Sequence, residues 1–514
     1  MMIEQSPTRP RVFGWCRTFN LFVLLALLVM FAPLAPPSQA ASRAQPALLT
    51  IAAEHPDAQV SVIVQKLARD AAVEQLVTNL GGVVTADLHI INAFAADMPA
   101  RVALQIGRAA GVRWVSLDTA VVRTTACTPC VPATNLTNAY IKTIGADRVW
   151  NEGPGYYQGQ GIGVAVVDSG VNPQQDLYTN MGVNRLVAAV AYNGGYNQSI
   201  YDGYGHGDHV AGIIGGNGSR SGGAYIGVAP MANLINVKVS DDQGAATASN
   251  VVAGLQWIND HRTQYNIKVV NLSLNSSEPE SYNTNPIAAA VEILWFNKVV
   301  VVVSAGNRGR NALYPPANDP FVITVGATDD RGTANTSDDQ LASYSGFGNT
   351  IDGFHKPELV APGTNIVSLI AAPNDVLALA HPGNLLGAAY FRMSGTSMSA
   401  PMVAGAVALL LQSKPNLTPD QVKYRLMATA RPFDTPKHTG AGYLDIYAAV
   451  HGTTTQSANT GIAASQLLWT GNRPVTWNSV NWNSVNWNSV NWNSVNWNSV
   501  NWNSVNWNSD FWGN

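Results

Sequence analysis

The sequence contains a carboxylate, an imidazole and a hydroxyl in three separate motifs that could act together. Asp168 ends an apolar run, His206 lies between two glycines, and Ser397 lies in a Gly- and Ser-rich stretch before a long apolar segment. An imidazole can take the proton of a serine hydroxyl while a carboxylate orients the ring, and the hydroxyl oxygen then attacks a carbonyl carbon. The three residue types are therefore candidates for nucleophilic catalysis.

Taken singly, each motif has a simpler interpretation. Asp168 could be a turn residue or a helix cap, His206 an ordinary loop histidine, and Ser397 a helix N-cap. His206 and His209 could form a metal-binding pair on one helix face, although no third ligand at a suitable spacing is visible. Pro401 is expected in the first turn of the helix after Ser397, which puts the serine beside unpaired N–H groups. The combination of the three motifs favours catalysis.

The residues around these positions resemble the signature motifs of the subtilisin-like serine proteases. Val164–Gly170, Gly205–Gly212 and Ser394–Pro401 match the family's aspartate, histidine and serine motifs, in the family's order. A fourth motif, Ser304-Ala305-Gly306-Asn307, resembles the one that carries the family's oxyanion asparagine. Further matches lie at Gly227–Pro230, Asn271–Leu274 and Lys356–Gly363. The resemblance covers about residues 144–450.

The resemblance implies a serine endopeptidase in which Asp168, His206 and Ser397 form the catalytic triad and Asn307 donates to the oxyanion. Its substrates would be proteins or peptides, and the chemistry requires no cofactor. The family often binds calcium, but no Asp-rich calcium loop is recognisable, and no metal is expected in the site. Two alternatives are a non-enzymatic surface protein with an inactive protease fold and the acid-active serine proteases, which use a glutamate base. The four intact positions argue against both.

The sequence departs from the family at two places near the expected site. Asp208 stands where the family usually has threonine, in the first turn of the expected helix. Asn275, Ser276 and Ser277 replace glycines that line the family's substrate cleft. We expect these side chains to reshape the first specificity pocket.

A parallel sheet is the element expected to position these residues. Nearly continuous apolar runs of strand length are typical of a parallel sheet that is covered on both faces. They lie at Ile162–Val167, Leu234–Val239, Val269–Leu274, Val299–Val303 and Val322–Val325, and helical stretches such as Ala248–His261 and Ile287–Asn297 lie between them. The pattern predicts an α/β, doubly wound, mostly parallel sheet of the subtilisin-like type over residues 139–452. Functional residues of such sheets collect beyond the carboxyl ends of the strands.

The chain before this region divides into a predicted signal peptide, a small domain and a linker. A basic flank, the apolar run Leu21–Ala32 and small residues before Ala41 predict a signal peptide over residues 1–40, and hence secretion. The alternative, a membrane anchor, is disfavoured because the run is short and prolines follow it. Residues 58–123 show a β-α-β-β-α-β pattern, in which the first helix is expected at Ala68–Leu80, and they predict a small ferredoxin-like α+β domain. This domain resembles the family's inhibitory propeptide, which implies an intramolecular inhibitor that self-processing removes.

Cys127 and Cys130 lie in the predicted linker, residues 124–138. A zinc site would need a second pair of ligands, and a redox motif should open a helix after a strand. The sequence shows neither feature, because the two cysteines lie in a Thr- and Pro-rich stretch. We therefore predict a local disulfide in an oxidising compartment.

The last region, residues 453–514, is a low-complexity tail. From Trp477 to Trp507 the unit Trp-Asn-Ser-Val-Asn repeats every five residues. A period of five gives a single stripe neither on a helix nor on a strand. Disorder, a β-rich adhesive structure and a solenoid therefore stay open, and we expect the tail to bind a surface or to self-associate. The net charge of −3 and the lack of a basic patch argue against nucleic-acid binding.

Overall fold

A computed structural model describes residues 43–123, 138–152, 155–179, 181–193, 199–370 and 372–468. The predicted signal peptide, Cys127 and Cys130, and the pentapeptide repeats lie outside these residues. What the sequence analysis states about them stays a prediction.

Residues 43–123 form an N-terminal module built around an antiparallel sheet. Its elements are α1 (Pro46–Glu54), β1 (Gln59–Lys66), α2 (Ala72–Asn79), β2 (Val83–Leu88), β3 (Ala93–Pro99), α3 (Ala100–Arg108), β4 (Val112–Leu117) and β5 (Ala120–Arg123). The first four strands form one sheet in the order β2-β3-β1-β4. The predicted β-α-β-β-α-β succession is therefore present.

The module differs from its prediction at two places. It starts before the predicted boundary at residue 58, because α1 packs on α3 and Ala44 pairs with Val115 beside the edge strand β4. The helix expected at Ala68 begins at Ala72 instead, because residues 67–71 form a bend, in which the Asp70 carboxylate accepts the Ala72 N–H at 3.1 Å.

The two faces of the module's sheet pack into different cores. In β1, Val62 and Val64 lie in the module's own core, whereas Ile63 lies in the large core that contains the central strands of the following region. Strand β3 alternates in the same way, with Phe94 in the module's core and Ala95 in the large core. Successive side chains of a strand point to opposite faces. One face of this sheet is therefore covered only by the rest of the chain.

The region after residue 138 contains the remaining strands and helices. The strands are β6 (Gly163–Asp168), β7 (Leu186–Ala191), β8 (Asn233–Lys238), β9 (Ala246–Thr247), β10 (Ile267–Leu272), β11 (Leu274–Ser276), β12 (Val300–Ser304), β13 (Ile323–Asp329), β14 (Gln340–Leu341), β15 (Gly348–Asn349), β16 (His355–Lys356), β17 (Leu359–Pro362), β18 (Ile366–Leu369), β19 (Leu385–Leu386) and β20 (Tyr390–Met393). The helices are α4 (Tyr140–Thr143), α5 (Ala146–Asn151), α6 (His206–Gly215), α7 (Ala248–His261), α8 (Pro286–Phe296), α9 (Val376–Ala380), α10 (Thr396–Ser413), α11 (Pro419–Ala428), α12 (Pro436–Thr439) and α13 (Ile446–His451).

An eight-stranded, mostly parallel sheet forms the centre of this region. Its order is β14-β13-β12-β10-β6-β8-β7, with β17 beside β13. All neighbouring strands are parallel except β13 and β14. Helices α6 and α10 pack together against the sheet, and so do α7 and α8. The predicted doubly wound α/β fold is confirmed, and every predicted apolar run contributes a strand.

The central strands are apolar because they are covered on both faces. Every residue of β6 and β12 is buried, which explains why these strands have continuous rather than alternating apolar patterns. Among the described helices, only α10 is long and apolar enough to cross a membrane, but 89% of it is buried inside the structure. Its apolar character is that of a core helix.

The chain after residue 452 packs on the folded body as far as the structure describes it. Ala464, Leu467 and Leu468 are buried in the large core. The predicted tail begins at residue 453, so its first part belongs to the folded body. The polar residues 453–460 are typical of an exposed linker, so nothing in the sequence indicates that the residues after them pack into the core.

Candidate active site

Neighbouring parallel strands bring the predicted site residues to one edge of the sheet. Strand β6 ends at Asp168, and the adjacent β10 ends at Leu272 and is followed by Ser273. Strand β12, next to β10, ends at Ser304, shortly before Asn307. Parallel strands end at the same edge of a sheet, and ligand sites lie beyond their carboxyl ends. The candidate site lies at this edge.

His206 is the first residue of α6, and Asp202 caps the start of that helix. The Asp202 carboxylate accepts hydrogen bonds from the N–H groups of Tyr204, Gly205 and Asp208 at 3.1, 2.9 and 2.9 Å. The first N–H groups of a helix have no acceptor within it. Asp202 therefore holds the first turn in place and with it the backbone of His206.

The turn after Asp168 is in direct contact with the start of α6. A Cβ atom on Gly207 would lie 2.0 Å from the carbonyl oxygen of Gly170, and the Gly207 N–H donates to Ser169 Oγ at 2.9 Å. This approach brings Nδ1 of His206 to 2.7 Å from Oδ1 of Asp168, and both side chains are buried. Within the described part of the chain, Nε2 of His206 has no hydrogen-bond partner. The carboxylate can thus orient the ring while Nε2 accepts a proton.

Ser397 is the second residue of α10 and exchanges two hydrogen bonds with Ser273. Its hydroxyl donates to the Ser273 carbonyl at 3.2 Å, and the Ser273 hydroxyl donates to the Ser397 carbonyl at 3.0 Å. Pro401 makes the second bond possible, because it lacks the N–H that would otherwise bond to the Ser397 carbonyl. Pro401 thus lies in the second turn and not in the first as predicted, because the helix already begins at Thr396.

Thr396 also holds the amide oxygen of Asn307. That oxygen accepts hydrogen bonds from the N–H and the hydroxyl of Thr396, both at 3.0 Å. The Thr396 hydroxyl oxygen in turn accepts the N–H of Gly306 at 3.1 Å. Anchoring the oxygen fixes the direction in which the side-chain NH₂ of Asn307 donates. Asn307 is therefore held against the residue that precedes Ser397.

Comparisons with known proteins identify the family. The model of the Subtilase family matches residues 159–462. Serine protease AprX of Bacillus subtilis is 40% identical over 274 residues, which are 52% of this chain and 60% of AprX. Subtilisin DY of Bacillus licheniformis is 32% identical over 313 residues, which are 60% of this chain and 97% of that protein. The chain belongs to the subtilase family.

A solved structure supports the same assignment. Fervidolysin from Fervidobacterium pennivorans, described as a keratinolytic enzyme related to subtilisin, matches with a TM-score of 0.60 and 26% identity. The match covers 78% of this chain and 62% of fervidolysin. The subtilisin-like fold is confirmed, and the family is one of serine-type endopeptidases. This subtilase spans 60% of the length of AprX.

The last strand of the N-terminal module of this subtilase runs beside the candidate site. Strand β5 is the middle strand of a three-stranded antiparallel sheet, between β11 and β9. Arg123 pairs with Leu274 on one side, and Val121 pairs with Ala246 on the other. Strand β11 starts directly after Ser273, whose carbonyl accepts the serine hydroxyl described above. Strand β5 therefore lies along β11, the strand that follows Ser273.

Asn275 occupies one of the positions where the family has glycine. It is 1% exposed, and its Nδ2 donates to the Ser304 carbonyl at 3.0 Å. Its Oδ1 lies 2.9 Å from the position that a Cβ atom on Gly306 would take. The side chain fills the space between β11 and the turn that leads to Asn307. Its effect on the specificity pocket stays a prediction.

Asp208, the second departure from the family, bonds to the segment after β6. Its carboxyl oxygens accept hydrogen bonds from the backbone N–H of Asn172 at 2.8 Å and from the Asn172 side-chain amide at 2.7 Å. The side-chain amide of Gln174 donates to Oδ1 of Asp208 at 3.3 Å. Burial raises the pKa of Asp208 well above its usual value, and the neighbouring charge of Asp202 adds to the effect. Asp208 therefore ties the first turn of α6 to the loop that contains Asn172.

His209 does not join His206 in a metal-binding pair. Its Nε2 lies 2.9 Å from the Phe391 carbonyl and 3.2 Å from the Ile366 carbonyl. Burial lowers the pKa of His209 to about 3, and the nearby His206 contributes. The ring is thus a neutral donor to two strands. In the portion of the chain that the structure describes, no group of three or more His, Cys, Asp or Glu residues could hold a metal ion.

Three residues that hold the site in place, namely Asp202, Ser273 and Thr396, were not among the predicted site residues. Asp202 had a detectable signal, because an acidic residue just before a helix start is typical of a cap. Ser273 and Thr396 lie inside recognised motifs, but they act on residues far away in sequence. A single sequence contains no signal for such contacts.

Proposed function

We propose that this subtilase is a secreted serine endopeptidase, made as a self-processing precursor, in which Asp168, His206 and Ser397 form the catalytic triad. The observation that carries the proposal is the buried pair of Asp168 and His206, with Nδ1 and Oδ1 2.7 Å apart. A buried, oriented imidazole next to a serine-bearing helix is what a general base requires. Helix α6, which begins at His206, packs against α10, which carries Ser397.

The proposed reaction proceeds in two steps. Oγ of Ser397 forms a bond to the carbonyl carbon of the substrate, and its proton passes to Nε2 of His206. The carbon–nitrogen bond then breaks, and the amine leaves with that proton. A water molecule, deprotonated by His206, hydrolyses the acyl-enzyme and restores Ser397. Asp168 orients the ring and stabilises its charged form throughout.

Two N–H groups are proposed to bind the oxyanion. One is the side-chain amide of Asn307, whose oxygen Thr396 anchors at 3.0 Å. The other is the backbone N–H of Ser397, which lies in the first turn of α10, where N–H groups have no helical acceptor. Donors that are already fixed in place stabilise a developing negative charge without a cost of reorganisation.

The N-terminal module is proposed to be the intramolecular inhibitor. Strand β5 adds a strand between β9 and β11, which is the way an extended peptide binds to exposed sheet edges. Val121 is 3% exposed, and together with Val239, Ala246 and Leu274 it lines a small cavity. A substrate that takes the place of β5 would therefore be extended. We expect it to carry an apolar residue at the position of Val121.

Contacts with α7 hold the module over the cleft, which is the groove between β9 and β11 that β5 occupies. The Asp118 carboxylate accepts the N–H of Ser249 at 2.8 Å, and the Thr119 carbonyl accepts the N–H of Ala248 at 2.9 Å. Both donors lie in the first turn of α7, where a carboxylate is also favoured by the helix dipole. Burial raises the pKa of Asp118, although the bonds from Ser249 act in the opposite direction. The module thus caps a helix of the region after residue 138, which is the proposed catalytic region.

Processing is expected just after Arg123. Arg123 lies opposite Leu274, one residue from Ser273, whose carbonyl is 3.2 Å from the Ser397 hydroxyl. The scissile bond should therefore be one of the four from 123–124 to 126–127. The predicted signal peptide supports secretion, and the repeats support attachment to a surface or self-association.

The test combines activity with processing. The purified chain should cleave a fluorogenic peptide, lose that activity to a serine-directed inhibitor, and acquire an N-terminus at residues 124–127 by Edman sequencing. A chain that binds peptides but never cleaves them would instead support the non-enzymatic alternative. An active chain that keeps residues 43–123 would refute the inhibitor role alone.

A further inference from the structure

Gln65 is a buried amide on the face of β1 that lies against the catalytic region. It is 2% exposed, and its neighbours Ile63 and Val64 are apolar and buried. Its Nε2 donates to the Ile91 carbonyl at 2.8 Å and also to the Leu467 carbonyl. A buried amide costs free energy unless it is hydrogen-bonded. The two carbonyls that Gln65 binds therefore account for a polar residue at this position.

The Leu467 carbonyl belongs to a segment that the catalytic region holds. We name residues 463–468 the C-terminal clasp. Both carboxyl oxygens of Glu292 accept the N–H of Ser465, at 3.0 and 2.7 Å. The N–H of Gln466 donates to the Asn283 carbonyl at 3.1 Å. The clasp is thus bonded to α8 and the loop before it on one side, and to the N-terminal module on the other.

The two leucines of the clasp are buried in the core that the module shares with the catalytic region. Leu467 and Leu468 are 3% and 2% exposed, and the same core contains Ile63 and Ile91 of the module. The helical turn at His89–Ile91 packs against α8. Without the module, the Leu467 carbonyl loses its donor and this part of the shared core faces water, which is unfavourable.

We infer that the C-terminal clasp is a binding surface for the N-terminal module. The module is then held by Gln65 on the clasp in addition to β5 in the cleft and the contacts with α7. The inference rests on the proposed function, in which processing removes the module. The coupling free energy between two linked interactions is the same in both directions. The ordered clasp therefore raises the affinity of the module for the cleft by the same factor by which the bound module favours the ordered clasp.

The clasp also connects activation to the tail. Residue 468 leads directly into the segment that carries the pentapeptide repeats. When the module leaves, the cleft opens and the clasp, which precedes that segment, loses its cover in the same event. The partner of the clasp in the precursor is the module, and the clasp becomes accessible only in the mature enzyme.

The first test uses the full chain with Ser397→Ala, so that no processing occurs. Gln65→Ala in this background should raise hydrogen exchange of the amides of residues 465–468 about tenfold, the effect expected for a lost buried hydrogen bond. The matched control is Gln75→Ala, since Gln75 is exposed on α2. Unchanged exchange in Gln65→Ala, or an equal rise in the control, would overturn the inference.

A reciprocal pair of variants guards against misfolding of the module. Leu467→Ala leaves the module's own sequence intact and should weaken the same contact. Its control is Leu379→Ala, because Leu379 is 66% exposed. In the same Ser397→Ala chain, Leu467→Ala should raise exchange of the Gln65-bearing strand. An unchanged rate of hydrogen exchange in that strand would contradict the inference that the clasp binds the module.

The second test uses the processing chain and separates this inference from the proposed function. Gln65→Ala should shorten the lag between cleavage near residue 124 and the appearance of peptidase activity about tenfold. The mature enzymes are chemically identical, because residue 65 lies in the part that is removed. An unchanged lag would overturn the inference. A chain that is active with its module still attached would refute the proposed processing, while the exchange experiment still tests the clasp.

Discussion

The N-terminal module and the catalytic region build their cores from sheets in opposite ways. The catalytic sheet is mostly parallel, and its central strands β6 and β12 are buried on both faces by helices of the same region. The module's sheet is antiparallel, and only one face has a core of its own. Its other face, with Ile63 and Ala95, belongs to the shared core. The module therefore depends on the region that it covers, and that region in turn contacts the module through α7, α8, the clasp and the cleft.

This difference suits the proposed role of the module as an inhibitor that is removed only once. A small domain buries a smaller fraction of its surface than a large one, and a domain with one uncovered sheet face buries less still. After cleavage the module is expected to unfold readily when it dissociates, and an unfolded inhibitor is open to proteolysis. The predictions below test whether the two regions differ in this way.

The largest effect is expected from Ser397→Ala. Without the nucleophile, peptide cleavage should fall by several orders of magnitude, and the module should stay covalently attached because the same serine is proposed to process the chain. A fluorogenic assay and an intact-mass measurement check both expectations. Normal maturation of the variant when it is expressed alone would show that another protease removes the module.

Asn307→Ala should lower turnover by about 10²–10³ with little change in KM, the typical cost of losing the oxyanion asparagine in subtilisin. The effect should persist after the module is removed, since both proposed oxyanion donors, Asn307 and Ser397, lie after residue 138. Steady-state kinetics of the mature enzyme measures it. Asn416→Ala is the control, because Asn416 is exposed and follows the end of α10, whereas Ser397 lies at its start. A loss below tenfold would remove Asn307 from the oxyanion site.

Two cavity-forming variants compare the cores directly. Val64→Ala in the module and Val166→Ala in β6 both truncate side chains that are 0% exposed, and each should cost about 2 kcal/mol of unfolding free energy in the Ser397→Ala chain. After maturation, only Val166→Ala should still have an effect. Denaturant unfolding of precursor and mature forms checks this. An effect of Val64→Ala on the mature enzyme would mean that the module is retained.

A smaller effect is expected from pH, through the buried Asp319 of the catalytic region. Burial raises the pKa of Asp319 from 3.8 to about 7. The folded state thus binds a proton that the unfolded state has released, and stability falls as pH rises from about 4 to 7. Asp319→Asn keeps the acceptor for the Phe321 N–H, bonded at 2.8 Å, and should flatten that decline because it removes the ionisable group. Unfolding free energies at pH 4.5 and 7.5 test the sign, and an equal slope in both proteins contradicts it.

The smallest effect is expected from removing residue 472 and everything after it. Cleavage of small soluble peptides should stay within a few-fold of the full-length enzyme, because the repeats offer no acid, base or nucleophile other than ordinary serines. Pull-down with insoluble material should weaken, since Trp side chains can stack on rings and on one another. A folded truncation without peptidase activity would place the tail in the catalytic unit.

The catalytic region could be predicted from the sequence because its signals are local. The runs that became β6, β8, β10, β12 and β13 are apolar over their whole length, and the motifs with Asp168, His206 and Ser397 lie directly beside helix and strand ends. The module's β-α-β-β-α-β order was predicted for the same reason. In each case the pattern depends on residues that are close together in the chain.

The missed features depend on residues far apart in the chain. The contact between Gln65 and Leu467 joins the first and last described parts of the molecule, and the anchoring of Asn307 by Thr396 joins a strand end to a helix start. Leu467 and Leu468 follow a polar segment, so their burial left no periodic pattern. Only the tertiary structure shows such pairs.

Under the proposed function, the position of β5 between β9 and β11 sets which protein segments the cleft can accept. A chain segment in that position must present N–H and C=O groups along both of its edges. Helical residues and inner strands of a native protein have those groups bonded already, and an edge strand has only one edge open. Strand β5 is four residues long, so a target has to release a stretch of about that length before the cleft can accept it. The rate at which a folded protein is degraded should then follow the free energy of its local opening rather than its amino-acid sequence.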